Sequence, residues 1–191
     1  DLVRSRGLGD VYKRQAVATP NGWTFIIPNK DTISYGYLYN NSVTSKRDAS
    51  EDFIERFDIH RVDDYITFDN YAAKNMFVGD RTILQGNAYG FIEPLEATTV
   101  TFYRELCLQA NNVIFYGEDP REINRDIREK IKGIEAFLLW HYQFGSKYDT
   151  PFWEYAKNLP FNPEDSIFTN NNANIKSCLL YTSPSPRDRT R

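Results

Sequence analysis

Cysteine is nearly absent from this chain of 191 residues: there are two, Cys107 and Cys178. Neither has a CxxC partner or a histidine at zinc-ligand spacing, and two thiols make no disulfide framework. This usage reads as cytoplasmic, with Cys107 expected as a buried free thiol in an apolar helical pattern. Histidine is as scarce. His60 and His141 stand far apart in the sequence, each without a second ligand at helical spacing, so both are expected to be structural or surface residues and no metal site is expected. Basic residues form no stripe and the formal net charge is −3, which argues against nucleic acid as a partner. The longest apolar run, near Phe137–Trp140, falls far short of a membrane span. No signal peptide and no internal repeat are visible, and no membrane partner is expected. Aromatic residues, by contrast, are plentiful: 13 Tyr, 13 Phe and 3 Trp. They suit a core or the lining of a pocket for a flat ring, and the count alone favours the core.

The two ends differ in character from everything between them. Residues 1–15 (DLVRSRGLGDVYKRQ) and 178–191 (CLLYTSPSPRDRTR) resemble translated sequencing-adapter read-through and are expected to be non-native segments outside the fold. Each carries +2, which leaves the stretch between them at −7. The Gly7-Leu8-Gly9 pair has Tyr12 where a dinucleotide loop needs its third glycine, and no strand precedes it. Both natural ends are therefore expected to be missing.

Within 16–177 the pattern is α+β, strands first and helices after. Trp23–Ile27 reads as a strand closed by Pro28, with a turn at 29–31 and a second strand over Ile33–Tyr39. Gly36 inside that strand predicts a close approach to the backbone. Arg47–Phe57 sets Ala49, Phe53, Ile54 and Phe57 at helical spacing, and Tyr65–Phe68 and Thr82–Gln85 are further strand candidates. A helix is expected from Glu93-Pro94, with Val100, Tyr103, Leu106, Cys107 and Ala110 as its apolar stripe. Asp119 and Glu122 form a capping-box start for a long helix through Ile123, Ile127, Ile131, Ile134 and Leu138, ending at Gly145. A short helix follows Asp149-Thr150-Pro151, and the chain is irregular after Pro160. The expected organisation is a β-rich portion over 16–92 and a helical portion over 93–177.

Three blocks carry a more specific signal: GWTFIIPNKDTISYGYLY (22–39), GNAYGFIEPLEATT (86–99) and HYQFGSKYDTPFW (141–153). In this order they resemble the tryptophan-halogenase family of flavin-dependent halogenases. The resemblance covers nearly all of residues 21–158. It implies an α+β fragment of an FAD-dependent (GR2-like, Rossmann-containing) monooxygenase or halogenase fold that lacks the dinucleotide loop and the catalytic lysine. It also implies an activity in which reduced FAD (FADH2 from a separate flavin reductase, met transiently or without direct contact) and dioxygen convert a halide ion to hypohalous acid. That acid then halogenates an electron-rich aromatic small molecule of indole, tryptophan or phenol type.

The resemblance also assigns roles. Glu96, which its position alone makes a helix-start acid, matches the catalytic glutamate beside the substrate; Glu93 is then the helix-start acid. Thr98 and Thr99 match the pair whose backbone amides bind halide, a use that suits unsatisfied donors at a helix start. Asn87 and Val100 match positions that touch the flavin. Trp23 and Phe25 fall in the WxWxIP signature near the tunnel, with Phe25 replacing the second tryptophan; packing inward from a strand accounts for them equally. Tyr142, Phe152 and Trp153 match the region that closes over substrate, where Lys147 and Tyr148 replace an acid that would bind an ammonium group. Free tryptophan is accordingly a poor fit. Two other readings remain: a flavin-dependent aromatic monooxygenase, hinted at by Phe25, and a non-catalytic aromatic-binding relative.

Overall fold

Alternating aromatic residues place Gly22–Pro28 (β2) and Ile33–Asn40 (β3) in the antiparallel hairpin their pattern predicts, with Asn29 N–H closing the turn on Thr32 O at 2.7 Å. The computed structural model describes residues 14–60, 62–160 and 176–181, the side chains of Glu96 and of 176–181 excepted. Before the hairpin runs β1 (Gln15–Thr19), and after it come α1 (Lys46–Phe57), β4 (Asp64–Asp69), β5 (Tyr71–Ala72), β6 (Phe77–Val78), β7 (Thr82–Ile83) and β8 (Gly90–Phe91). Helices α2 (Thr98–Tyr116), α3 (Pro120–Phe144) and α4 (Pro151–Lys157) follow, and β9 (Lys176–Tyr181) ends the described chain. The order is α+β as expected, save for that last strand.

The described residues fall into two units, one of 14–60, 62–68, 146–155 and 177–181, the other of 69–145, 156–160 and 176. The expected boundary at 92/93 lies inside the second unit. The reason is a set of non-local bonds that no periodicity reveals. Asn124 on α3 accepts from Met76 N–H (2.8 Å) and Phe77 N–H (2.9 Å) and donates to Phe77 O (3.1 Å). Arg128 donates to Lys74 O and Asn75 Oδ1, so residues 69–92 are fastened to the helices.

In the first unit the sheet order is β1-β2-β3-β9-β4. Gln15 opens β1, and Cys178–Tyr181 pair antiparallel with β3, so parts of both segments expected outside the fold lie in strands. Strand pairing asks only for an open edge and residues that tolerate extended backbone, and Leu179, Leu180 and Tyr181 meet that demand. Gly36 is approached closely, as predicted: it faces Phe25 across the hairpin, and a Cβ there would lie 2.0 Å from the ring. The core under α1 is aromatic, with Tyr37, Tyr39, Ala49 and Phe53 buried and Tyr35, Phe57 and Tyr65 packed against them. Ser45 caps α1 by accepting from Asp48 N–H.

In the second unit the α3 stripe behaves as its spacing predicts: Ile123, Ile127, Ile131 and Leu138 are buried, and Asp119 caps the helix through Arg121 N–H. Helix α2 departs from expectation. It begins at Thr98 rather than Glu93, and its buried residues are Phe102 and Leu106, while Val100 is 70% exposed and Cys107 is an exposed thiol. Leu106 of the predicted stripe is buried and Tyr103 and Ala110 are half-buried, so the inward face runs through Phe102 and Leu106 and leaves Val100 and Cys107 outside it. Gly117, at φ 72°, ends α2 in the left-handed conformation that glycine adopts without strain. Among the described residues no helix is long and apolar enough to cross a membrane.

Two buried tyrosines differ in how their hydroxyls are served. Tyr37 Oη donates to Asp52 Oδ2 at 2.6 Å, and burial together with that carboxylate pushes its phenol far above the usual range. Tyr89 Oη is buried without a hydrogen-bond partner among the described residues, and burial pushes it up to about 12 against the pull of Arg128. Both stay neutral in the fold after the unfolded chain ionises, so their stabilisation is whole below pH 10.0 and, for Tyr89, is lost as pH rises from there to about 12. Tyr37→Phe should cost about 2 kcal/mol, while Tyr89→Phe should change stability at pH 7 by less than about 1 kcal/mol. Denaturant titrations at pH 7 and pH 11 check this, and Tyr89→Phe should lose less stability than the parent between the two.

Candidate active site

The stretch from Gly86 to Val100 is shaped by polar side chains that grip its backbone. Gly86–Ala88 is a 3-10 turn, β8 pairs with β5, and Leu95–Ala97 is a second 3-10 turn running directly into α2. Tyr103 Oη on α2 shares its one proton between Asn87 Oδ1 and Gly90 O (3.0 Å), and Tyr71 donates to Asn87 O at 2.5 Å. Asn87 is exposed with both its oxygens engaged, so its side-chain NH2 is the group left to offer a ligand. Upstream of the second turn, Asn70 Oδ1 accepts from Glu93 N–H at 2.7 Å.

Ala97 forms the N-cap of α2 at φ 56°, ψ 26°. This is the left-handed region, which costs a residue with a Cβ about 1–2 kcal/mol. Alanine also lacks the oxygen with which a serine or aspartate would satisfy the first-turn amides. The threonine hydroxyls do not replace it: Thr98 Oγ1 donates to Leu95 O (3.1 Å) and Thr99 Oγ1 to Ile92 O (2.7 Å). They fasten the helix to the loop before it. Of the two amides expected to face a halide, that of Thr98 closes the 3-10 turn on Leu95 O, while that of Thr99 lies in the first turn of α2, at the positive end of the helix.

Glu96 lies in this second turn, and its side chain is outside the described residues. Glu93, expected as the helix-start acid, precedes the helix, is 1% exposed and accepts from Tyr142 Oη at 2.6 Å. Neighbour spacing points the wrong way here, because Glu93 belongs to the strand-like approach and not to the helix. Val100 is an exposed apolar side chain on the first turn of α2.

The aromatic candidates divide between the units. Asn87, Thr98, Thr99, Val100 and Tyr142 lie in the second; Trp23, Phe25, Phe152 and Trp153 lie in the first. Trp23 and Phe25 sit on β2 with rings 6.3 Å apart edge to face, Trp23 buried and Phe25 half-buried over Gly36. Phe152 and Trp153 are buried on α4, and Trp153 Nε1–H donates to Thr19 O at 2.6 Å. His141 bonds Phe137 O through Nδ1 at 2.8 Å. A groove of about 420 Å3 opens between α2 and α3, lined by Thr98, Thr101, Phe102, Ile134 and Phe137, with Glu105 and Lys130 also lining it. Glu105 and Lys130 form an ion pair, and Lys130 holds the Glu105 carboxyl below its usual range with help from the Gln109 amide. None of the five aromatic candidates lines this groove, which sequence reasoning did not anticipate.

The sequence model of the tryptophan halogenase family matches residues 3–174, and the chain belongs to that family. A tryptophan 7-halogenase of Lentzea aerocolonigenes is 27% identical over 151 residues, which cover 75% of this chain and 28% of the relative. A tryptophan 7-halogenase of Kutzneria sp. (strain 744) is 25% identical over 158 residues, covering 76% and 28%. The solved structure of a flavin-dependent halogenase from Xanthomonas campestris superimposes with a TM-score of 0.69 at 22% identity, over 79% of this chain and 31% of that one, a likeness of fold. The chain thus spans about 28% of the length of the two tryptophan 7-halogenases it matches.

The left-handed cap makes a stability prediction. Ala97→Gly should stabilise the chain by about 1 kcal/mol, because glycine adopts that conformation without strain, and Ala97→Val should destabilise it by more than that. Thermal denaturation of the three chains checks the order Gly, Ala, Val.

Proposed function

We propose that the protein halogenates an electron-rich aromatic compound, and that this chain supplies the substrate-side turn carrying Glu96 and the halide-facing start of α2. The observation that supports the reading most is the uncapped, left-handed turn at Ala97, set within the stretch GFIEPLEATT that resembles the family. When bound, reduced FAD with dioxygen supplies the oxidising equivalents that turn halide into hypohalous acid; its edge would meet Asn87 and Val100. The reductase that furnishes FADH2 is a separate protein, and the few cysteines favour the cytoplasm as the setting.

The chain's own residues do three things in this reading. The Thr99 amide, with Thr98 beside it, holds a halide against the positive helix end without a competing side-chain oxygen. Glu96 stabilises the cation formed when the ring attacks the electrophilic halogen of hypohalous acid, accepts the ring proton as the C–H becomes C–halogen, and passes it to the released hydroxide, which departs as water. Trp23 and Phe25 on β2, with Phe152 and Trp153 on α4, are apolar rings of the first unit of the kind that shelter an oxidant from water. Lys147 is exposed, and the Arg56 guanidinium lies 6.0 Å over the Tyr148 ring, so this stretch carries cations where an ammonium group would be repelled. A neutral indole or phenol fits better than free tryptophan.

The test uses the longest reading frame that contains these residues, supplied with a flavin reductase, bromide and an indole and phenol panel. Glu96→Gln should lower halogenation about 100-fold while flavin binding is unchanged; equal turnover would remove Glu96 from its role. The 191-residue chain by itself should emerge colourless from dialysis with FAD.

A further inference from the structure

Buried carboxylates survive only when bonded, and Glu93 is 1% exposed in a chain whose other acids are mostly at the surface. We propose that Glu93 and Tyr142 are positioning residues: their hydrogen bond holds the 93–99 turn, left-handed Ala97 included, in the geometry that presents Thr99 N–H and Glu96. What that turn does chemically rests on the function proposed above, while the manner of its holding stands on contacts within one unit.

Four bonds surround the turn. Tyr142, near the C-terminal end of the 25-residue helix α3, donates to Glu93 Oε1 at 2.6 Å. Asn70 Oδ1 receives Glu93 N–H at 2.7 Å, Thr99 Oγ1 reaches back to Ile92 O at 2.7 Å, and Tyr103 Oη reaches Gly90 O at 3.0 Å. Of these only the Glu93–Tyr142 bond ties the turn to α3, whose Ile127 and Ile131 are fully buried. A left-handed alanine persists where its surroundings over-determine it, and the Tyr142 bond is the one of the four that reaches a helix anchored in the core. Tyr142 therefore acts through Glu93, its hydroxyl committed to the turn and not to an aromatic guest.

Amide hydrogen exchange on the 191-residue chain, followed residue by residue with bromide titrated in parallel, tests this. Tyr142→Phe should speed exchange from Glu93 to Thr99 about tenfold while Ile127 and Ile131 stay as in the parent. Glu93→Gln, which keeps an acceptor for Tyr142, should restore parental exchange, whereas Glu93→Ala should behave as Tyr142→Phe. Unchanged exchange in the turn, or equal acceleration at Ile127 and Ile131, overturns the proposal. Should Tyr142→Phe not fold, the parent chain decides: a Glu93 amide protected within about tenfold of Ile127 supports the tie, and one exchanging as fast as an open loop refutes it. Local acceleration without any bromide-induced shift of the Thr99 amide, in parent or variant, leaves the tie standing and sinks the halide reading instead.

Discussion

Ala97 occupies a backbone conformation that its own Cβ opposes, and the start of α2 depends on it. Were this residue to relax to the right-handed region, the 3-10 turn at Leu95–Ala97 would run on as helix and the first-turn amides would acquire carbonyl partners from below. The left-handed break prevents that. It leaves a helix beginning with no capping side chain, while the hydroxyls of Thr98 and Thr99 are drawn back to Leu95 O and Ile92 O. The strain is offset by polar bonds from Asn70, Tyr103 and Tyr142, which come from three different elements or connections of the same unit. The chemistry proposed for the turn is thus a consequence of how the backbone is held as much as of the residues it carries.

The same economy governs the aromatic residues. Tyr37, Tyr39, Phe53, Tyr89, Phe102, Phe152 and Trp153 are buried, yet Phe115, Tyr116, Trp140 and Phe144 remain more than half exposed on α2 and α3. Several rings, buried like Tyr37 and Trp153 or half-buried like Tyr103, have a polar end that does structural duty: Tyr37 to Asp52, Trp153 to Thr19 O, Tyr103 to Gly90 O. An aromatic-rich composition therefore marks neither core nor pocket by itself. The bond made by each polar tip decides which residue is anchored and which is available.

Local pattern made part of this legible. The β2–β3 hairpin, α1 with Ala49 and Phe53 inward, and the α3 stripe follow from alternation, helical spacing and Asp119, because in each the burying face is encoded by neighbours in sequence. Strand β7 falls within the 82–85 candidate, but β1, β5, β6, β8 and β9 were not legible, since pairs of two residues carry no period and edge pairing depends on a distant partner. The start of α2 was misplaced because Pro94 and two acids imitate a helix opening; the left-handed residue that sets the true start is an alanine, which gives no signal. For the candidate site, resemblance located the stretch 86–99, but the burial of Glu93 and its bond to Tyr142, 49 residues away, could be found only in three dimensions. Asn124 did leave a trace: a polar residue beside Ile123 and one turn before Ile127, on the inward face of a helix, asks for a backbone partner, and it has Met76 and Phe77.

The most direct test of the central claim is anomalous diffraction from a crystal of the chain soaked in sodium bromide. A bromide peak within about 3.5 Å of Thr99 N, at the first turn of α2 with Ala97 still left-handed, is the result the account predicts. A first turn whose amides are taken by protein carbonyls, with bromide found elsewhere or nowhere, would contradict it.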